Sequence, residues 1–222
     1  GTVSTIANMR LGTVALGSVE TGLISAASAQ LARRYRLPIR SVGAATESKV
    51  EDIQAGLERS ATLMQAALAG VNYITCGGTL DSTMLESEAL LLLDDEWCGA
   101  IQRAARGIEV NQQTMALALI KQTGFSGHYL AEEHTAEHFR KEHYIPELLV
   151  REPHSSWIGK GSKTALDLAR EKVDQVLAAH QPKPVDRETT ELLDAYCAET
   201  AARELEHFYL SEQEENQDFS KL

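Results

Sequence analysis

Along the chain, short apolar runs alternate with longer stretches in which apolar residues recur at every third or fourth position. Three runs read as strands: residues 13–19 (TVALGSV), 39–45 (IRSVGAA) and 72–77 (NYITCG). Each is followed by a helical pattern, so the order is β-α-β-α-β-α. The helix after the second run is the best marked. Ser48 and Glu51 are spaced as a capping box, Val50, Ile53, Leu57, Met64 and Leu68 form one apolar stripe, and Gly70 stops it. With Ser48 as N-cap, Ala44, Ala45, Thr46 and Glu47 become the loop above the strand. Strands joined by helices of this length run parallel, and their carboxyl ends open on one side, where sheets and barrels of this kind carry their chemistry.

After about Gly107 the extended runs cease. Residues 111–123, 135–143, 162–180 and 186 to about 210 read as helices, the last beyond Pro182 and Pro184, and residues 212–222 read as a polar, frayed end. This divides the chain into βα units over residues 1–110 and a helical region over 111–222 that packs on them. Three strands cannot close a barrel, and a three-stranded parallel sheet covered on one face is rare and exposed. The chain therefore reads as part of a larger unit.

Composition narrows the class. At 222 residues, 43% hydrophobic and 24% charged, the chain can bury a sizeable core. A formal charge of -11 argues against a phosphate-tracking surface, so nucleic acid is not an expected partner. No apolar run approaches the roughly 20 residues that span a bilayer, and no basic segment leads into an apolar one at the start, so the expectation is a cytosolic protein away from membranes. Cys76, Cys98 and Cys197 are odd in number and in no metal-ligand spacing, which suits reduced thiols.

The expected strand ends display small residues beside a few charged ones: Gly17, Ser18 and Glu20; Ala44, Ala45, Thr46 and Glu47; Thr75, Cys76, Gly77, Gly78 and Asp81. Small residues here serve tight turns, or leave room for something large and flat. Glu20 and Glu47 are either first-turn acids that favour the helix dipole or charge partners for a cationic substrate. His134 and His138 stand at i, i+4 spacing. Two imidazoles so spaced can share a metal, but no Glu directly follows His134, and Thr135 as N-cap would put His134 outside the helix. The segment reads instead as a polar helix with histidines lining a cleft. Cys76 reads as a buried thiol rather than a nucleophile, Gly17-Ser18-Val19-Glu20 lacks the spacing of a serine-hydrolase elbow, and Cys76-Gly77-Gly78 lacks the lysine of a phosphate loop.

Six segments carry a resemblance: GTVSTIANMRLG, GSVETGLISAASAQLARRYRLP, GAATESKVEDIQAGLE, ALAGVNYI, LDDEWCGAIQRAARGIEVN and HYLAEEHTAEHFRKEHYIPELL. From Gly1 to about His180 the chain resembles the C-terminal portion of the trimethylamine methyltransferase (MttB-like) family. The resemblance implies an α/β fold, the C-terminal part of a TIM (βα)8 barrel with a helical C-terminal extension. It implies transfer of a methyl group from a methylated amine to the Co(I) of a corrinoid held by a separate partner protein, with no tightly bound metal in this chain. In members acting on trimethylamine the catalytic residue is pyrrolysine, and Ala44 to Thr46 is its matching stretch. Ordinary residues fill that stretch, so the resemblance is to the subgroup acting on quaternary amines such as glycine betaine, proline betaine or carnitine.

The chemistry accounts for that split. A tertiary amine donates no methyl until its nitrogen becomes cationic, whereas a quaternary ammonium departs as a neutral amine and needs mainly positioning and exclusion of water. On this reading Glu47, Glu20 and Thr46 are the catalytic candidates. Ala45, Tyr73, Cys76, Tyr129 and His134 are candidates for the substrate pocket, Phe125 is a further cage aromatic, and Gly77 and Gly78 would admit the corrin ring. Two alternatives differ in class: a non-catalytic half-barrel that pairs through its open sheet edges into a homo-oligomer, and a lyase or isomerase with Glu47 as base, which needs Lys49 or an arginine close by for an anionic substrate, whereas Ser48 as N-cap turns Lys49 into the first helical turn.

Overall fold

The computed structural model describes residues 4–202. It opens with an antiparallel hairpin, β1 (Ile6–Asn8) on β2 (Thr13–Ala15), closed by a turn in which Asn8 O accepts the N–H groups of Leu11 and Gly12. Gly12, at φ +70°, supplies the left-handed residue that this reversal needs. The expected first parallel strand is thus corrected. Residues 13–15 pair backwards with a strand the sequence pattern did not mark, and helix α1 (Val19–Tyr35) takes over at Val19.

The other two runs pair in parallel as expected. β3 (Arg40–Val42) lies beside β4 (Tyr73–Thr75) with Ser41 opposite Ile74, and Gly43 N–H extends the ladder to Thr75 O at 3.1 Å. Between them runs α2 (Ile53–Leu68). A short hairpin follows β4, β5 (Thr79–Leu80) with β6 (Leu85–Glu86), its turn wound as a single 3-10 turn over Asp81–Thr83, and then α3 (Glu88–Ala105). The fold is mixed α/β, with three two-stranded sheets and no closed barrel among the described residues.

Helix α2 departs from the sequence reading in two ways. Its N-cap is Asp52, whose carboxylate accepts Ala55 N–H at 2.9 Å; Ser48 stands four residues earlier and donates its hydroxyl to Asp52 at 2.9 Å. Glu51 is therefore no capping-box partner and accepts the Ser87 hydroxyl at 2.9 Å instead. The face that α2 buries is Ala55, Arg59, Thr62, Leu63 and Ala66, while Ile53 is 82% and Leu57 67% exposed. Small residues win the inner face because α1 comes close: a Cβ on Gly22 would overlap the Gln65 side chain.

Beneath the sheet the core is divided. Leu16, Val42 and Ala45 form one cluster, and Ala44, Leu63 and Ile101 another, so the alanines ending β3 face opposite ways. Between α2 and α3 lies a buried ion pair. Arg59, 3% exposed, directs Nε to Asp94 Oδ1 at 3.2 Å and Nη2 to Oδ2, while Nη1 donates to Thr79 O. Gly78 N–H adds a bond to Asp94 Oδ2 at 2.8 Å. Burial holds the Asp94 carboxyl above its usual range, and Arg59 with the Gly78 N–H offsets only part of that rise.

The helical region is more broken than its periodicity suggests. Residues 111–123 divide at Ala116, φ 47°, into α4 (Gln112–Met115) and α5 (Leu117–Thr123). α6 (Glu133–Glu142) starts two residues early, and α7 (His154–Gly159) was not foreseen. The segment after α6 is tied to α3: Arg103 pairs with Glu142 at 2.7 Å, the Tyr144 hydroxyl donates to Glu96 O at 2.7 Å, and Glu96 accepts the N–H groups of Glu147 and Leu148. By contact the chain parts into two units after Ala178, near the end of α8 (Ala165–Ala179). The second unit contains α9 (Arg187–Ala201), capped by Asp186, which accepts Thr189 N–H at 2.9 Å. The expected continuation to about residue 210 and the frayed end at 212–222 lie outside the described residues.

Removing one partner of the Arg59–Asp94 pair strands the other in the core. Asp94→Leu is expected to lower the unfolding free energy by about 3–5 kcal/mol, and the double variant Arg59→Met/Asp94→Leu to recover most of it in urea denaturation. A double variant no better than the single would show that the lost stability lay in packing.

Candidate functional site

The loop between β3 and α2 is held from three sides. Its floor is the strand end: Ala44 turns the chain with φ 52°, and Ala45 N–H donates to Thr62 Oγ1 at 3.2 Å. From α2, Glu58 reaches back over the loop. Its Oε2 accepts the Thr46 hydroxyl at 2.7 Å and Glu47 N–H at 2.8 Å, and Gln54 donates to Oε1 at 3.0 Å. From the β5–β6 turn, Asp81 N–H donates to Ser48 O at 2.8 Å and Ser82 N–H to Thr46 O at 2.9 Å. Thr46 and Ser48 are buried as a result.

This scaffold fixes one carboxylate asymmetrically. Glu47 Oε1 accepts Gly17 N–H at 3.1 Å and the Ser82 hydroxyl at 2.5 Å, while Oε2 accepts no hydrogen bond among the described residues. Half-buried, with one oxygen saturated and the other open, Glu47 is arranged to meet a further donor or a cation. Lys49 makes no direct bond to that oxygen. Its ammonium is exposed and bonds Asp81 Oδ1 at 2.8 Å and Glu47 O at 2.7 Å, and the Asp81 hydrogen bond holds its pKa above the usual lysine value. Because Ser48 is not the cap of α2, Lys49 stands in the loop rather than in a first helical turn, which corrects the sequence reading.

Gly17 closes the fourth side. A Cβ there would lie 2.6 Å from Glu58 Oε2 and 2.7 Å from both Glu47 N and Thr46 Cα, so β2, α2 and the loop meet where only glycine fits. Leu16 beside it packs on Val42 and Ala45, which is how a hairpin outside the parallel pair still contributes to the edge.

The other candidates divide by position. Thr46, Ala45 and Cys76 belong to this edge; Cys76 packs against the Leu16 cluster at φ 83°, a half-buried thiol 3.9 Å from Thr75 Oγ1. Glu20 is exposed in the first turn of α1, where an acid suits the helix dipole. Tyr73 begins β4 and is exposed at the amino end of the strand, opposite Arg40 and away from the loop. Gly77 and Gly78 pack toward α3: added Cβ atoms would meet Leu91 at 3.3 and 3.0 Å. Phe125 is fully exposed, and Tyr129 is exposed in the segment before α6. His134 lies inside α6, correcting its expected position outside the helix; it stacks on His138 with centroids 4.3 Å apart and meets Gln113 O at 3.0 Å. Among the described residues no group of three or more His, Cys, Asp or Glu side chains is arranged to hold a metal ion.

Glu58 and Ser82 are the residues that sequence reasoning missed. An acid one turn after Gln54, inside a helix that follows the loop, is the signal for Glu58, since helical side chains lean toward the N-terminus. Ser82 had none, because it is brought in by a turn 35 residues away. Clefts of about 390 and 380 Å³ open beside Trp157 and beside Tyr144; neither is lined by a residue of this loop.

Gly17→Ala is the sharpest probe of the geometry. It is expected to cost about 1–3 kcal/mol in thermal unfolding, since the obstructing atoms include backbone. An unchanged melting temperature would mean that the hairpin moves freely against the loop.

Residues 1–204 match the family model described as Trimethylamine methyltransferase (MTTB). Over 200 residues the chain is 36% identical to the glycine betaine methyltransferase of Desulfitobacterium hafniense (strain Y51), covering 90% of this chain and 42% of that protein. Over 186 residues it is 37% identical to the trimethylamine methyltransferase MttB of Methanosarcina barkeri, covering 84% of this chain and 37% of that protein. A trimethylamine methyltransferase MttB of Desulfitobacterium hafniense (strain DSM 10664 / DCB-2) is 33% identical over 200 residues, covering 90% of this chain and 40% of that protein. The chain thus spans about two fifths of the length of these curated relatives.

Proposed function

The chain belongs to the trimethylamine methyltransferase family, and from that premise we propose that it forms part of an enzyme that takes a methyl group from a quaternary amine of the glycine betaine class. The observation that carries the reading is the Glu47 carboxylate, one oxygen held by Gly17 and Ser82 and the other open, at the carboxyl end of a parallel strand. A fixed anion there attracts a quaternary ammonium without having to strip a proton from it. Ordinary residues at Ala44, Ala45 and Thr46, in the stretch matched to pyrrolysine by resemblance, support a donor that is already cationic.

In the transfer the nitrogen keeps the electron pair of the broken N–C bond and leaves as a neutral tertiary amine. The methyl passes to a nucleophile supplied from outside the chain, which on this reading is the Co(I) of a corrinoid borne by a partner protein. Glu47 stabilises the ammonium as it binds, the buried Thr46 and Ala45 form the wall beneath it, and Glu58 keeps the loop's main chain from shifting. Glu20 remains a candidate at the rim, with Tyr129, Phe125 and His134 as pocket candidates that would need to come against this edge from their own segment.

The same reading makes the described sheet the C-terminal part of a (βα)8 barrel. Open edges on the β3–β4 pair and exposed Ile53, Leu57 and Leu31 on the helices around it support a fold completed by further chain. That surface also favours the non-catalytic alternative, a module that assembles through its edges. Sedimentation velocity separates the two. A monomer at micromolar concentration counts against self-pairing, and a stable dimer supports it.

The test of the activity uses the protein extended to the length of its relatives, mixed with cob(I)alamin and with glycine betaine, proline betaine, carnitine or trimethylamine, following the Co(I) absorption. Turnover with a quaternary amine is expected and none with trimethylamine; silence with every amine in a folded protein sinks the reading. Glu47→Gln is expected to slow transfer by about tenfold or more, with the melting temperature nearly unchanged. A drop of several degrees with activity per folded molecule intact would make Glu47 structural.

A further inference from the structure

Three consecutive non-glycine residues, Asp81 at φ 47°, Ser82 at 52° and Thr83 at 77°, occupy the left-handed region in the β5–β6 turn. Each such residue costs on the order of 1–3 kcal/mol when bulky or unsupported, and runs of them persist only where surrounding contacts over-determine them. Thr83 is β-branched and exposed, so nothing in its own packing explains its conformation.

What over-determines the turn is the Glu47 loop. Asp81 N–H and Ser82 N–H bond Ser48 O and Thr46 O, and Asp81 pairs with Lys49, so the turn is clamped across the loop by two main-chain bonds and one ion pair. Left-handed backbone at these positions aims the Ser82 hydroxyl at Glu47 Oε1, 2.5 Å away. A turn of ordinary hand would close the same hairpin with less strain. The strain therefore accompanies the placement of one hydroxyl.

We propose that Ser82 is a positioning residue, held by this strained strap, which fixes the Glu47 carboxylate so that its Oε2 faces a cationic substrate. The proposal rests on the reading of Glu47 as the substrate's charge partner. The Gly17 N–H fixes Oε1 from one side and Ser82 from the other; with Ser82 gone, a single donor leaves the carboxylate free to rotate about that bond.

The test reads positioning on the chain as it stands and substrate binding on the protein extended to the length of its relatives. Amide hydrogen exchange at Gly17 reports how well Glu47 is held, because that N–H is bonded to Glu47 alone among the described residues. Ser82→Ala is expected to speed Gly17 exchange by about tenfold, leave Leu63 in α2 unchanged, and be rescued by Ser82→Thr. Unchanged exchange at Gly17 in Ser82→Ala overturns the proposal. Equal acceleration at Leu63 overturns it too, since the effect would then be general loosening. Thr83→Gly relieves strain without touching Glu47 and is expected to raise the melting temperature by a few degrees with Gly17 exchange intact; a fall would show that the turn is not strained. In a second arm, on the protein extended to the length of its relatives, glycine betaine is titrated into wild type and Ser82→Ala by calorimetry, with several-fold weaker binding expected in the variant. If wild type binds no glycine betaine while Ser82→Ala still speeds Gly17 exchange, the positioning stands and the substrate reading falls.

Discussion

The Arg59–Asp94 pair is the tie on which the arrangement of the other parts depends. Arg59 belongs to α2 and Asp94 to α3, and the two share their remaining hydrogen bonds with Thr79 O and Gly78 N–H on the segment leaving β4. One buried contact thus sets two helices and the base of the β5–β6 hairpin at once. A purely apolar contact would hold α2 to α3 with similar or greater stability, but it would not set the register between them, because dispersion forces have no preferred direction and charge-assisted bonds do. The register matters at the adjacent residue. Glu58, the neighbour of Arg59, has to reach Thr46 and Glu47, and the hairpin anchored at Thr79 has to bring Ser82 to the same loop from the other side.

The loop itself illustrates how a polar site is built over an apolar floor. Ala44 and Ala45 divide between two core clusters, so the chain above them has little freedom to slide. Thr46 and Ser48 turn their polar atoms inward and are satisfied locally, by Glu58, Asp52 and Val50 O. Two carboxylates, Glu47 and Glu58, meet at this loop. Donors divide them: Glu58 is used on both oxygens, and Glu47 on one. The asymmetry leaves Glu58 fully engaged in holding the loop and Glu47 with one oxygen unbonded among the described residues.

Much of this was legible in the sequence, for reasons that separate cleanly. The 39–45 and 72–77 runs carry enough β-branched and apolar residues, flanked by strong helical patterns, for their parallel pairing to follow from local pattern and chain geometry. Residues 13–15 did not reveal their direction, because pairing with Ile6–Asn8 rests on a turn with a single glycine signal. Ser48 misled because it has the right residue type at the right distance from Glu51, yet a long-range bond from Asp81 N–H keeps it in the loop and leaves the cap to Asp52. The inner face of α2 was misjudged because closeness to α1 selects alanine and threonine, which hydrophobic periodicity does not weigh. Glu47 was placed in the loop by its position after a strand, and its hydrogen-bond partners were not named, since Glu58, Ser82 and Gly17 reach it from three different elements.

The outward Ile53 and Leu57, together with the bare edges of the β3–β4 pair, give the isolated chain a surface that other copies can wet as readily as solvent does. Its net charge of -11 opposes that encounter. Repulsion of this kind acts over a Debye length of about 10 Å at 0.1 M salt and shrinks to about 3 Å at 1 M, whereas the apolar attraction is left in place or strengthened. The colloidal behaviour of the chain is therefore governed by ionic strength, and its handling is easiest in dilute buffer well above its isoelectric point.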